Sequence, residues 1–205
     1  MFLRIATLLL SFPILWPISV SAQDVISVYT TLNMDDDCDW DDTDSDGFGA
    51  FCTGYEDYPV FVAEGDLRMF VTFGELPEGA EWFNGFMGFN SVNDVLEWRV
   101  ENGKAYATIL RWFVSTIDDE GDMFEKDVLV VSSVADLDKP LGERTSCHVA
   151  YIDPTVNENA NQLARQAAHL AARTFRCGID IPIYIGALGP QIPSGGGWHS
   201  IDYEE

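Results

Sequence analysis

Apolar and polar residues alternate in short runs along most of the chain, which is the period-two pattern of half-buried β-strands. The first run covers residues 24–32, and Gly, Asn and Asp residues separate several of the later ones. Such alternation is typical of antiparallel strands and predicts a sheet of about six strands. The further runs are residues 58–63, 66–73, 95–100, 104–114, 128–134 and 148–152.

The clearest predicted hairpin joins residues 95–100 to residues 104–114. Asn102 and Gly103 lie between them, and this pair favours a type I′ turn because both residues tolerate the positive φ that the turn needs. We therefore expect one apolar face towards the core and a more polar face opposite. The predicted pairs are Val100 with Ala105, Trp98 with Ala107, Leu96 with Ile109, Arg99 with Tyr106 and Glu97 with Thr108.

A helical pattern replaces the alternation near the C-terminus. Thr155 and Glu158 match a capping box after Pro154, and the pattern continues to about Arg176, before Gly178. One stripe of this helix is apolar and should pack on the sheet. The fold class predicted is therefore α+β, an antiparallel sheet of about six strands packed against one main C-terminal helix. The stripe consists of Ala160, Leu163, Ala164, Ala167, Leu170, Ala171 and Thr174.

The first 22 residues have the organisation of a secretory signal peptide. Arg4 provides the positive charge, residues 5–20 form an apolar stretch, and small residues at 20–22 mark a cleavage site. A membrane anchor is the alternative, but Pro13 and Pro17 interrupt the stretch, and a spanning helix needs about 20 apolar residues. We therefore expect a periplasmic or secreted protein with no membrane segment after signal cleavage.

Export places the four cysteines in an oxidising compartment, where an even number indicates disulfides. Three connectivities are possible. We favour Cys38–Cys52 and Cys147–Cys177, because each pair brackets a coherent segment and no C-x-x-C metal spacing occurs. Loops of about 15 and 31 residues would contribute about 3 to 4 kcal/mol each. The bridges would staple a single domain at residues 23–185, followed by a flexible Gly- and Pro-rich tail at residues 186–205.

The charge of the chain narrows the choice of partner. Asp and Glu number 34 against 11 Lys and Arg, so the formal net charge is −23, and removal of residues 1–22 with Arg4 would make it −24. This balance argues against nucleic acid and against an anionic membrane surface, and it favours a basic protein as partner. The densest acidic segment, residues 35–46, contains eight Asp and is predicted to be a loop.

Part of that segment matches the opening of a calcium-binding loop. Asp42, Asp44 and Asp46 precede Gly47, and carboxylates at alternate positions of a turn can converge on one hard cation. The twelfth position is Thr53, where the full motif has a bidentate Glu. The sequence therefore predicts weak calcium binding, and the alternative is a solvated acidic loop closed by a disulfide.

Residues 82–89 combine aromatic rings with glycines, a composition that can present anchors to a peptide, a glycan or a protein. The alternative is that these rings cover the open end of the sheet, since aromatic residues in a short connection usually pack. The predicted partner-binding residues are Trp82, Phe83, Phe86 and Phe89.

A hydrolase with a dispersed Ser-His-Asp set is a further alternative. The sequence contains neither H-E-x-x-H nor G-x-S-x-G, but His148, Asp153 and one of many serines could meet in the fold. We therefore assign no catalytic residue and no cofactor other than calcium, and whether the protein is an enzyme stays open.

Two stretches carry a resemblance to a known family. One runs from Cys52-Thr53-Gly54-Tyr55 to Arg68, and the other from Cys147-His148-Val149-Ala150-Tyr151 to Arg165. Together they resemble a family of uncharacterised exported proteins of alphaproteobacteria, over roughly residues 27–180. The family has no established activity, so the resemblance implies location and boundaries only. Our leading hypothesis is an exported, non-enzymatic binding or interaction module, inhibitor-like in character; the alternatives are the calcium-binding protein and the hydrolase.

Overall fold

A computed structural model describes residues 24–41, 48–75, 84–139 and 145–193. Ten strands and one helix occur in this part of the chain, and the helix, α1 (Ala160–Ala167), continues into a π-helical segment (Ala168–Ala172). The strands are β1 (Val25–Thr31), β2 (Cys38–Asp41), β3 (Phe48–Thr53), β4 (Pro59–Gly65), β5 (Arg68–Phe73), β6 (Asn90–Glu101), β7 (Lys104–Ile117), β8 (Met123–Ser133), β9 (His148–Ile152) and β10 (Ile183–Tyr184).

Six strands form the larger sheet in the order β1-β6-β7-β8-β9-β10, antiparallel except for the β9–β10 pair. The helix covers one face, where Ala164 and Ala168 share a buried cluster with Val131 and Ile152. The opposite face, which carries Trp98, packs against the second sheet. The predicted α+β class, with a six-stranded sheet and a C-terminal helix, is confirmed.

The second sheet is a four-stranded antiparallel meander, β2-β3-β4-β5, and it was not predicted as a separate layer. Residues 35–46 were predicted to be a loop, but residues 38–41 form β2. An acidic strand is possible here because β2 is the edge of its sheet, and Asp39 is exposed there rather than buried.

The β6–β7 hairpin has the predicted turn but a different register. Asn102 and Gly103 have φ of +52° and +80°, as a type I′ turn requires, and Val100 lies opposite Ala105 as predicted. A bulge then shifts the register by one residue, and Tyr106 is the extra residue. The observed pairs are Arg99 with Ala107, Trp98 with Thr108, Glu97 with Ile109 and Leu96 with Leu110, so the other four predicted pairs are wrong.

The helix begins later and ends earlier than predicted. Thr155 does not cap it, because the Thr155 backbone N–H and hydroxyl both donate to Asp153 Oδ1, at 2.9 and 2.6 Å. The wider π-helical turn also moves the buried stripe. Leu170 is 77% exposed, whereas Ala168 and Ala172 are buried.

Both predicted disulfides are present. Cys38–Cys52 joins directly opposed residues of β2 and β3, and Cys147–Cys177 ties the residue before β9 to the segment after the helix. Residues 183–193 contact the body of the domain, since Ala187 N–H donates to Asn157 Oδ1 at 2.9 Å and Gly189 N–H donates to Asp153 Oδ2 at 3.0 Å. The other tail residues, 194–205, and the predicted signal peptide, 1–22, lie outside the described residues. Within the described ranges, no helix combines the length and hydrophobicity needed to cross a membrane.

Candidate functional site

A cleft of about 300 Å³ lies at the end of the molecule where the β6–β7 turn meets the β3–β4 turn and the segments after β5 and β8. We call it the acidic cleft. Its charged lining consists of five carboxylates and one cation: Glu56, Asp57, Glu75, Asp136, Asp138 and Lys104.

The β3–β4 turn that carries Glu56 and Asp57 is pressed against the core. Gly54 N–H donates to the Tyr58 carbonyl at 3.1 Å, and Tyr58 N–H donates to the Tyr55 carbonyl at 3.0 Å. A Cβ on Gly54 would lie 2.5 Å from the Trp98 ring, so the close approach of this turn to the core requires glycine. The two acidic side chains therefore project from a turn that packing holds in place.

The opposite wall is also held by backbone hydrogen bonds. Ala135 N–H donates to the Phe73 carbonyl at 2.8 Å, which links the end of β8 to the end of β5. Asp136 Oδ1 accepts a hydrogen bond from Asp138 N–H at 3.0 Å, and the Asp136 carbonyl accepts one from Lys139 N–H at 3.1 Å. These bonds order the turn that presents Asp136 and Asp138 to the cleft.

The acidic cleft has a large excess of negative charge. Lys104 Nζ lies 3.5 Å from Asp138 Oδ2, and both side chains are exposed. Five carboxylates against one lysine leave a formal charge of −4. Asp136 is half-buried and the other four carboxylates are exposed, so a ligand arriving from solvent can reach all of them.

Most basic residues in the described part of the chain form ion pairs outside the acidic cleft. Of the 11 Lys and Arg in the sequence, eight form ion pairs with carboxylates of this same chain within the described residues. The surplus of acidic residues is therefore not balanced by the protein's own cations. The eight are Arg68, Arg99, Lys104, Arg111, Lys126, Arg165, Arg173 and Arg176.

Glu97 is one of two buried carboxylates among the described residues, and both have a defined set of partners. Arg165 Nε and Nη2 donate to its two oxygens at 2.7 and 3.0 Å, and the Ser27 hydroxyl donates to Oε1 at 2.5 Å. Burial alone would raise the pKa of Glu97, but the hydrogen bonds from Arg165 and Ser27 and the charge of Arg99 outweigh it and lower the pKa. The bulge residue Tyr106 lies on the face of the sheet that the helix covers, where the Arg173 guanidinium lies 3.8 Å from the centre of the Tyr106 ring.

Asp153 is the second buried carboxylate, and its side chain is fully buried. Lys126 Nζ lies 2.7 Å from Asp153 Oδ2 and 3.1 Å from the Thr155 hydroxyl. Burial alone would raise the pKa of Asp153, but hydrogen bonds from Lys126, Thr155 and the Gly189 backbone outweigh it and lower the pKa. This set of contacts joins β8, the end of β9 and the C-terminal segment.

The predicted partner-binding residues lie in different environments. Phe86 is only 2% exposed, and its ring centre lies 5.4 Å from that of Trp112, so Phe86 is a core residue. Phe89 is 39% exposed, and the Arg68 guanidinium lies 5.1 Å from its ring centre. Trp82 and Phe83 lie outside the described residues.

The predicted calcium ligands Asp42, Asp44 and Asp46 also lie outside the described residues, so weak calcium binding stays a prediction. In the part of the chain that the structure describes, no group of three or more His, Cys, Asp or Glu is placed to hold a metal ion.

His148 and Asp153, the residues named for a dispersed hydrolase set, have different partners. His148 Nδ1 lies 3.0 Å from the Tyr151 hydroxyl inside an aromatic cluster, and burial raises the pKa of Tyr151. The Asp153 carboxylate is engaged by Lys126, Thr155 and Gly189. The described contacts of the two side chains are therefore separate: aromatic rings surround His148, and a lysine, a hydroxyl and a backbone amide contact Asp153.

Sequence reasoning missed the acidic cleft. Its carboxylates come from three separate segments, residues 56–57, Glu75 and residues 136–138, and none of these forms a motif. The available signal was the presence of acidic residues in turns that border strands. That signal becomes informative only when the two sheets are known to pack together.

No family model matches the chain, and no curated protein and no solved structure matches it either.

Proposed function

We propose that this protein is an exported, non-enzymatic binding module for a basic protein, and that the acidic cleft contacts lysine and arginine side chains of that partner. One observation carries the proposal: seven of the chain's own cations form ion pairs elsewhere in the described structure, while the described lining of the cleft contains five carboxylates and one cation, Lys104, which pairs with Asp138. A cationic enzyme is a suitable partner, which makes the module inhibitor-like. The signal peptide predicted at residues 1–22 and the two disulfides support a periplasmic or secreted location.

Electrostatics would act on such a partner at two distances. The formal charge of −23 raises the rate of encounter with a basic surface, an effect that salt suppresses. At contact, each exposed charge pair contributes only about 0 to 1 kcal/mol. Several pairs are therefore needed together, and the acidic cleft offers several carboxylates on walls that backbone hydrogen bonds already order.

The experiment compares two triple variants that change the net charge equally. Glu75→Gln/Asp136→Asn/Asp138→Asn neutralises three of the five cleft carboxylates and changes the formal charge of the cleft from −4 to −1. The amide oxygen that this substitution introduces at position 136 can still accept the hydrogen bond that orders the turn. Asp119→Asn/Glu120→Gln/Asp122→Asn neutralises exposed carboxylates of the β7–β8 turn. The probe is a fluorescent nine-residue peptide of Lys, Arg and Ser, titrated at about 20 mM ionic strength, where screening is weak.

We expect the cleft variant to lose about five- to tenfold in affinity for the peptide, and the β7–β8 variant to lose less than about twofold. Equal losses in both variants would mean that only the net charge matters, and the acidic cleft would then not be the binding site. No binding by the unmodified protein would overturn the proposed function itself.

A further inference from the structure

Strand β1 is an edge of the six-stranded sheet, and within the described residues it pairs with β6 alone. Its seven residues, VISVYTT, contain no charge and no proline, and most are β-branched. Ile26 and Tyr29 are 51% and 55% exposed. A long uncharged edge with exposed apolar side chains is a template for pairing with another chain.

The backbone groups that β1 offers can be derived from the register. Leu32 N–H donates to the Asp94 carbonyl at 2.6 Å, one step beyond the Thr31–Val95 pair. Hydrogen-bonded pairs recur at every second residue of an antiparallel ladder. The N–H and C=O groups of the alternate residues therefore point away from β6. These residues are Val25, Ser27, Tyr29 and Thr31.

The other sheet edges differ from β1. Strand β2 has only four residues and includes Asp39 and Asp41, and charged residues discourage pairing. Strand β5 is covered in part, because Phe70 forms a bridge with Gly85. Strand β10 has two residues. Among the described edges, β1 alone is long, uncharged and unprotected.

A groove of about 520 Å³ lies beside this edge. Residues 29–31 of β1 form one side, and Asp37, Thr53 and Val95 contribute to the rest of the lining. Among the described residues, Asp37 is the only charged one that lines the groove, and the exposed Asp94 is adjacent in the chain to Val95 of the lining. An added strand would place every second side chain towards one face of the sheet, so a groove of this kind can select side chains.

We infer that the β1 edge binds an extended segment of the basic partner, which adds to the six-stranded sheet as a seventh strand. This inference rests on the proposed function. Main-chain hydrogen bonds from the outward groups of β1 would supply affinity, and lysine or arginine side chains near Asp37 would supply selectivity. A second copy of this chain fits less well, because two molecules of formal charge −23 repel each other.

The test uses Thr31, whose side chain is exposed and whose N–H points outwards. Thr31→Pro removes that donor, and proline is tolerated on an edge strand where the N–H faces solvent. Thr31→Ala is the matched control, since it shortens the side chain and keeps the donor. The probe is a displayed library of random ten-residue peptides, selected on the oxidised full-length mature protein, residues 23–205.

We expect the selected peptides to carry net positive charge and to bind Thr31→Pro about tenfold or more weakly than Thr31→Ala. A second measurement does not depend on the variant folding. Peptides N-methylated at every second residue should lose binding to the unmodified protein in one of the two alternating sets and keep it in the other. In the complex, the amides of Ser27, Tyr29 and Thr31 should gain protection from hydrogen exchange.

Three outcomes would overturn the inference. In the first, the selected peptides bind both Thr31 variants equally. In the second, they tolerate N-methylation in both sets of residues. Either result would mean that the peptide does not add to the sheet as a strand. If such peptides still lose affinity in the cleft variant, the proposed function survives without the β1 site. A concentration-dependent dimer that Thr31→Pro abolishes would show that the occupant of the edge is a second copy of the chain.

Discussion

Carboxylates occur in two contrasting environments in this protein. Glu97 and Asp153 are buried, whereas most carboxylates of the acidic cleft are exposed. Glu97 is matched by Arg165 and the Ser27 hydroxyl. Asp153 is matched by Lys126, and the Thr155 hydroxyl and the backbone amides of Thr155 and Gly189 complete its set of donors. In the acidic cleft, the described lining contains five carboxylates and one cation, Lys104, which pairs with Asp138. The same residue type therefore stabilises the fold in one region and is left available to a ligand in the other.

The difference follows from the cost of burial. An isolated buried carboxylate is strongly unfavourable, so it must have a cation and hydrogen-bond donors inside the protein. An exposed carboxylate is hydrated by water and needs no partner for the fold to form. A chain with 34 acidic and 11 basic residues thus has too few cations for all its acids, and the exposed acids outnumber the cations that remain after the buried groups are paired.

The largest expected effect comes from breaking a buried pair. Asp153→Asn would leave Lys126 charged, with its side chain only 7% exposed, and we expect the free energy of unfolding to fall by about 3 to 5 kcal/mol. The measurement is urea denaturation of the oxidised protein at pH 7. Asp180→Asn is the control, because the Arg176–Asp180 pair is partly exposed, and its loss should lower the free energy of unfolding far less than the loss of the buried pair. Equal losses would contradict the distinction between buried and exposed carboxylates.

A smaller effect is expected from acid. The folded-state pKa of Glu97 is lowered, so the folded protein binds this proton less readily than the unfolded chain does. Glu97 should stabilise the fold fully above the ordinary carboxyl pKa of about 4, and this stabilisation should be lost as the pH falls through the lower folded-state pKa. Unfolding free energies at pH 7, 5, 4 and 3 should therefore decline less steeply in Glu97→Gln than in the unmodified protein. An identical decline of the unfolding free energy with pH in both proteins would show that the partners of Glu97 do not lower its pKa.

The smallest expected effect on stability comes from neutralising three of the five carboxylates of the acidic cleft. Glu75→Gln/Asp136→Asn/Asp138→Asn should change the free energy of unfolding by no more than about 0.5 kcal/mol per residue, and the sign should favour the variant because repulsion among the carboxylates is relieved. Urea denaturation at low and at high salt measures this, and the gain should shrink as salt screens the charges. A loss of several kcal/mol would mean that the cleft carboxylates are structural.

Much of the fold was predictable because its signals are local. The alternation of residues 24–32 predicts β1, the Asn102-Gly103 pair predicts the type I′ turn, and the bracketing of coherent segments predicts the Cys38–Cys52 and Cys147–Cys177 disulfides. Each of these depends on neighbouring residues or on chain spacing. The charge balance likewise needs only a count.

The predictions failed where no local signal existed or where another contact replaced the expected one. The bulge at Tyr106 is an extra residue within an otherwise regular ladder, and no local signal distinguishes it from its neighbours. The capping box at Thr155 is present in the sequence, but Asp153 engages the Thr155 side chain instead. Phe86 belongs to a glycine-rich segment that resembles an exposed loop, yet its ring packs on Trp112.

The sequence by itself determined the class of the fold, the positions of most strands and the strongly acidic character of the protein, and it favoured the disulfide pairing that the structure shows, because propensity, periodicity and charge are properties of the chain alone. Only the tertiary structure decided which acids are buried and paired and which remain exposed in the acidic cleft. That outcome depends on how the four-stranded sheet and the helix pack on opposite faces of the six-stranded sheet. Packing determines where water is excluded, and exclusion of water decides whether a carboxylate requires a cation within the fold.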